Sequence, residues 1–508
     1  MTARHPLLYQ LNTCISLGEI ERATRRRVTL DDLPDTTFDS LRAASFDWLW
    51  LLGVWRTSPA GLAVARSDPR IRAALEAELP DLSEADFTAS PFAIRGYEVR
   101  SEWGGDAALS RVRRRLAQRG LRLMLDFVPN HVALDHPWVD EHPEYFVAGT
   151  PDDLAREPHN YVQLRSRGKL QVFAHGRDPY FPGWTDTLQL DYRHPGLRRA
   201  MTEQLQRLSR MCDGVRCDMA MLVLPDVIER TWGSSHSSLD DAALVSTSFW
   251  AEAIAAVRAD RPAFVFMAEA YWDLEWRLQS EGFDYTYDKR LYDRLRSGDG
   301  RSVREHLRAE PDYQRRSVRF LENHDEPRAA AAFPREVHQA AAVVSFFVPG
   351  LRFFHDGELE GRQHHVPMQA ARRPAERPDL PLQRFYSRLL ECLARPEVHD
   401  GEFQLHECRP AWAENGSFEA LTVVSWTLGD SRLLVAVNFA PHATQGYVTI
   451  SIPYLAAHDV RLVDLLGDAR YTRSGPELEQ RGLYLDLPAW GYHVFDWQTQ
   501  PSPSGTPP

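Results

Sequence analysis

The chain is 508 residues long, too long for one small core and of a size for a large α/β domain with one or two smaller modules. Hydrophobic residues at 43% and charged residues at 26% exclude an extensively disordered chain. The net charge of −12, with Lys169 and Lys289 as the only lysines, argues against nucleic-acid binding; neither lysine follows a glycine-rich turn, which removes a phosphate-binding loop.

In chain order, the opening MTARHPLLYQLNTC has no basic region followed by an apolar core and a cleavage site. Apolar runs such as 48-WLWLLGVW-55 are far too short to span a bilayer, so no membrane partner is expected. Cys14, Cys212, Cys217, Cys392 and Cys408 form no Cys-x-x-Cys pair. Neither a disulfide framework nor a zinc site is therefore expected, and reduced thiols fit a cytoplasmic location.

Strand-length apolar runs recur at 7–13, 47–55, 121–127, 213–219, 263–269, 283–288, 317–323 and 350–357. Between them lie helix candidates at 107–120, closed by a glycine, at 195–211, opened by a proline, and at 248–260. Such alternation, with strands apolar on both faces and no dinucleotide fingerprint after the first, predicts a (β/α)8 TIM barrel of the α/β class. The segment 132–190, rich in His, Pro, Tyr and Trp, is too long for an ordinary connection and reads as a short insertion after strand three. The barrel is thus expected over 1–131 and 191–395, ending with a helix at 382–394. Alternating strands at 420–426, 433–439 and 446–452 then predict a C-terminal antiparallel β-sandwich over 396–498, and 499–508 has the composition of a disordered tail.

Barrels of this kind place their sites at the C-terminal strand ends, which here carry Asp126, Arg216 with Asp218, Glu269, and Asn323 to Asp325. Within 214-GVRCDMAML-222, period-2 alternation sets Arg216 and Asp218 on one face. An ion pair buried there for stability alone gains little, because desolvation cancels most of the attraction. Two convergent carboxylates suit retaining glycoside hydrolysis, with Asp218 attacking the anomeric carbon and Glu269 protonating the departing oxygen. Arg216 is expected to lower the pKa of Asp218, and burial after 263-AFVFMA-268 to raise that of Glu269. His131 and His324 can donate to sugar hydroxyls, and Asp325 can accept from them.

The four stretches 126-DFVPNH-131, 214-GVRCDMAML-222, 266-FMAEA-270 and 321-LENHDEP-327 resemble, in order, the motifs of the α-amylase family of retaining α-glycoside hydrolases, glycoside hydrolase family 13. A weaker match lies at 188-LQLDYRHP-195, with further likeness at 90-SPFAIRGY-97 and 353-FFHDGELEG-361. The resemblance implies Asp218 as nucleophile, Glu269 as general acid/base and Asp325 as the carboxylate that positions the sugar hydroxyls. It also implies Asp126, His131, Arg216 and His324 as supports of the central sugar subsite. Phe92 stands where the family has a stacking tyrosine, and Met219 to Leu222 are apolar where many starch-cutting members are polar. Of the residues that bind a structural calcium in many relatives, only Asn130 is matched, which leaves calcium binding open, and no cofactor is expected to be required.

The expected partner is an oligosaccharide or other small sugar. The expected reaction is hydrolysis of α-glucosidic bonds in α-glucans or maltooligosaccharides, with transglycosylation or isomerisation of α-glucosides through the same intermediate as the alternative. A non-catalytic binding barrel would have lost one of Asp218, Glu269 or Asp325, and all three are present. Around them, Tyr180, Phe181 and Trp184 read equally as sugar platforms or a packed loop, as do Trp272 and Asp273 for the leaving-group side; His364 and His365 read as surface.

Overall fold

The computed structural model describes residues 4–233, 248–450, 452 and 455–501. The apolar runs become β1 (Leu7–Asn12), β2 (Trp48–Leu52), β3 (Arg122–Phe127), β4 (Gly214–Cys217), β5 (Val265–Ala268), β6 (Tyr285–Tyr287), β7 (Ser317–Arg319) and β8 (Leu351–His355). Each is parallel to its neighbours, and β8 pairs with β1 to close an eight-stranded barrel. The register sets Arg216 of β4 beside Asp126 of β3 and Met267 of β5. Gly214 permits that close pairing, since a Cβ there would lie 2.8 Å from the Val265 carbonyl oxygen.

Helices lie where the 3.6-residue periodicity predicts them, at Gly105–Ala117, Pro195–Met211, Phe249–Asp260 and Leu380–Leu393. Pro195–Met211 shows the local logic. His194 accepts the Gly196 N–H at its start, and Leu197, Met201, Leu205 and Leu208 form one buried face.

The barrel interior holds Trp48, Trp50, Met124, Met267, Val318 and Phe353. It is not apolar throughout, as the sequence suggested: Arg216, Arg319 and Arg352 point inward and are fully buried. Arg319 meets Asp288, and Arg352 donates to the carbonyls of Phe346, His5 and Val398.

The insertion is pinched at its base by an antiparallel pair, His131–Ala133 with Thr187–Gln189, and contains a small sheet of its own. Beyond the barrel, a six-stranded and a three-stranded antiparallel sheet enclose a second core including Leu421, Leu434, Val460, Leu485 and Phe495. The strand expected over 446–452 runs Thr444–Val448, and residue 451 lies outside the described residues. The last strand, Tyr492–Pro501, takes in residues 499–501 that composition assigned to a tail, because they pair with His458 to Val460; 502–508 lie outside the described residues. Among the described residues, no helix is long and apolar enough to cross a membrane.

Candidate active site

Strand β4 ends at Cys217, and Asp218 is the first residue past the ladder; Glu269 stands likewise just past β5. Asp325 sits in the loop after β7, its side chain 47% exposed. All three line one cavity of about 420 Å³ at the C-terminal mouth of the barrel.

Beneath the cavity, one guanidinium spans two of these carboxylates. Arg216 Nη1 donates to Asp218 Oδ1 at 2.5 Å, and Nη2 lies 2.8 Å from Glu269 Oε2, out of line for a hydrogen bond. Its charge is walled by the rings of Phe92, Trp50 and Tyr287, with centroids 5.3, 5.5 and 5.8 Å away.

Glu269 has two further contacts: Oε2 accepts the Met219 N–H at 2.6 Å, and Oε1 accepts the Tyr271 hydroxyl at 2.8 Å. Met219 reaches this position by adopting φ +43°, a left-handed conformation that costs a non-glycine residue of order 1 kcal/mol. Burial pushes Glu269 up to about 7, with Arg216 opposing and Asp218 and Asp325 reinforcing. The expected direction for Asp218 is corrected: burial raises it above the ordinary carboxylate value, and Arg216 offsets only part of that rise.

His324 belongs to a relay. Gln10 Nε2 lies 3.0 Å from His324 Nδ1, while Gln10 Oε1 lies 2.6 Å from His355 Nδ1. An amide nitrogen only donates, so His324 Nδ1 accepts and its Nε2 carries the proton, 3.1 Å from Asp325 Oδ2. Burial, then the Arg216 charge, pushes His324 well below its ordinary pKa, and burial takes His131 to about 3. Both imidazoles are neutral near pH 7.

His131, His324 and Phe92 face the cavity as the sequence reading required, with Phe92 stacked on His324 at 5.3 Å. Asp126 and Arg216 do not line it. Asp126 is fully buried, accepting from Trp50 Nε1 at 3.0 Å and Gly53 N–H at 2.7 Å, and burial pushes it up to about 6. Both residues support the site from below and are not placed to touch a sugar. His365, read as surface, is in the cavity wall, where Nε2 meets the His324 carbonyl at 3.0 Å, whereas His364 pairs with Glu78 outside it. Trp184 also lines the cavity, while Tyr180 and Phe181 are 59% and 67% exposed.

Gln10, Tyr271 and Asp186 went unnoticed in the sequence. Tyr271 had a signal, being two residues past Glu269; Gln10 had one in its polarity inside an apolar strand. Asn130, the one candidate calcium ligand, is 1% exposed and locked in a reciprocal amide pair with Gln189, at 2.9 and 3.2 Å. Two neutral amides facing each other do not fit a hard cation that takes six to eight oxygens. Among the described residues, no group of three or more His, Cys, Asp or Glu is arranged to hold a metal ion.

A closed parallel barrel with three carboxylates gathered at its C-terminal mouth over a buried arginine defines the class: a (β/α)8 barrel with a carboxylate site. Residues 92–377, more than half of the chain, match the family model described as alpha amylase, catalytic domain, and the chain belongs to the alpha-amylase family. It is 24% identical over 368 residues to the alpha-amylase MalA of Haloarcula japonica, covering 70% of this chain and 48% of that one. The chain spans about half the length, or less, of the curated relatives it matches. Its fold is similar to that of the maltogenic alpha-amylase AmyB from Thermotoga neapolitana, with a TM-score of 0.67, 17% identity and coverage of 97% of this chain and 99% of that one. The alpha-amylase from Geobacillus thermoleovorans complexed with acarbose aligns at a TM-score of 0.64 with 16% identity, covering 98% and 99%.

Proposed function

We propose that the protein is a retaining α-glycoside hydrolase acting on α-glucosidic bonds of α-glucans or maltooligosaccharides. The observation that carries this reading is the single Arg216 guanidinium held against both Asp218 and Glu269. Two carboxyl groups gathered on one guanidinium favour the ~5–5.5 Å spacing of direct attack over the wider gap that an inverting enzyme keeps for its water. Family membership and the acarbose complex of a structural relative agree with an oligosaccharide substrate.

In the first step an Asp218 oxygen attacks C1 while Glu269 gives its proton to the glycosidic oxygen; the C1–O bond breaks and a glycosyl ester forms on Asp218. In the second, Glu269 takes a proton from water as the water oxygen attacks C1, and Asp218 departs with the bonding pair. Two inversions return the α-anomer. A pKa near 7 suits Glu269 to giving and taking that proton. Neutral His324, its Nε2–H without a well-aligned partner, and Asp325 beside it would hold sugar hydroxyls as the ring flattens. The partly exposed Trp272 against Tyr180, rings 5.1 Å apart, gives an acceptor sugar a place to stack, and favours transglycosylation as the second reading.

The test is proton NMR of the reaction with maltooligosaccharides, sucrose and trehalose, with and without acceptor sugar, and with Asp218→Asn as control. Release of α-anomeric sugar that the variant abolishes is the expected result. New oligosaccharides with little free sugar would move the reading to transglycosylation, and β-anomers as first products would overturn the role of Asp218.

A further inference from the structure

The mouth of the barrel is asymmetric. On the side of His324 and Asp325 it is crossed by the segment after β8, which is fastened to the long excursion after β2. Ala370 bridges Phe87 in antiparallel fashion, Thr88 N–H donates to the Gln369 carbonyl, and Ala371 N–H donates to the Asp86 carbonyl, both at 2.8 Å. Arg372 then clamps Asp86 at 2.6 Å and Asp81 at 2.8 Å. Ala65, Leu75, Phe87 and Ala370 form a small core of their own under this strap, so it is a built wall and not a loose loop.

The inner face of the wall supplies Ser90, Phe92, His365, Met368 and Gln369 to the cavity, and His365 is bonded to the His324 carbonyl. Glu269 and Tyr271 stand on the opposite side, where the rim runs out to Trp272 and the exposed Tyr180. A leaving group protonated by Glu269 departs toward that open rim. The sugar that receives Asp218 then lies between the carboxylates and the wall.

We infer that the site is a blind pocket that admits only the non-reducing end of an α-glucoside, with the strap as its end wall and Asp186 as the carboxylate that reads the terminal hydroxyls; this rests on the glycosidase reading above. The cavity, about 420 Å³, is roughly the size of a disaccharide. Asp186 lines it, bonded to its own backbone N–H and to no side chain among the described residues, and the charge of Asp68 in the same excursion bears on it. A half-buried carboxylate with no cation or side-chain donor beside it is unfavourable until a ligand hydroxyl fills the role, and burial holds it up at about 6. A terminal glucosyl residue offers such hydroxyls at C4 and C6, whereas an internal residue has its C4 oxygen in a glycosidic bond.

The test compares p-nitrophenyl maltoheptaoside with the same compound capped at its non-reducing end by an ethylidene bridge. The expected result is removal of single residues from the free end, with the capped compound slower by at least about 100-fold, because the cap must enter the wall. Equal rates on both, with internal products, would overturn the blind pocket while leaving the glycosidase reading intact. Inertness toward both would overturn that reading and this one with it. Arg372→Ala, which loosens the strap without touching the cavity, is expected to raise the rate on the capped compound by about tenfold. No gain in a variant that still melts cooperatively would overturn the strap's part.

Discussion

Arg216 and Arg352 are the same side chain in the same barrel, both with 0% exposure, yet they sit in opposite chemical situations. Arg352 donates to the carbonyls of Phe346, His5 and Val398, and burial with no carboxylate in contact pushes its pKa down to about 9. Arg216 faces Asp218 and Glu269, leaves Nε without a partner, and holds Nη2 close to Glu269 but misaligned. The first has a carbonyl on each of its three nitrogens and stitches chain segments together. The second is left short of hydrogen bonds beside two carboxylates, one of which must give and take a proton in the proposed reaction. Burial alone therefore does not separate an architectural charge from a working one; the kind of partner, and whether every donor is used, does.

The comparison can be pressed hardest at the carboxylate that Arg216 serves. Asp218→Asn removes the proposed attacking group, and kcat is expected to fall by at least about 10^4-fold, read in steady-state assays on a maltooligosaccharide while the unfolding temperature stays near the parent's. Arg216→Met is expected to lower kcat/KM by about 100- to 1,000-fold. It also moves the acid limb of the pH profile upward, because Asp218 loses the cation that offsets its burial. Arg352→Met strands three carbonyls and is expected to cost about 3 kcal/mol of stability, seen as a lowered unfolding temperature, with kcat/KM per folded molecule unchanged. A catalytic loss in that variant at full folding would erase the distinction.

Finer effects probe the surroundings of Glu269 and His324. The proposed reaction needs Glu269 protonated, so the kcat/KM profile is expected to fall as pH rises through about 7. Tyr271→Phe removes a donor that favours the ionised carboxylate; the Glu269 pKa rises, and that limb is expected to move up by about one unit in a pH–rate profile. Gln10→Leu frees His324 from its tautomer, and KM is expected to rise by about fivefold with kcat less affected.

Much of this was written in the sequence because it depends on local pattern. The eight apolar runs fall on the barrel strands, and Asp218, Glu269 and Asp325 come to one cavity. What escaped depends on long-range partners or on backbone geometry. Met219 acts through its N–H in a left-handed turn, which its apolar side chain does not announce. His365 looked like surface because the strap that draws it inward is fixed by contacts with residues 81–88, nearly three hundred positions earlier. The direction for Asp218 was misread because strand periodicity revealed the neighbouring arginine and not the depth of burial that outweighs it.

The seam between β1 and β8 carries a consequence for synthesis. Gln10 meets its partner His355 across 345 positions of sequence, so one edge of β1 stays unpaired until nearly the whole barrel has been translated. At ordinary elongation rates that wait is of the order of tens of seconds, during which an apolar strand shows its open edge to the cell. The same late event completes the hydrogen-bond chain that sets the His324 proton, so the candidate site is complete only when the first and last strands of the barrel are zipped together.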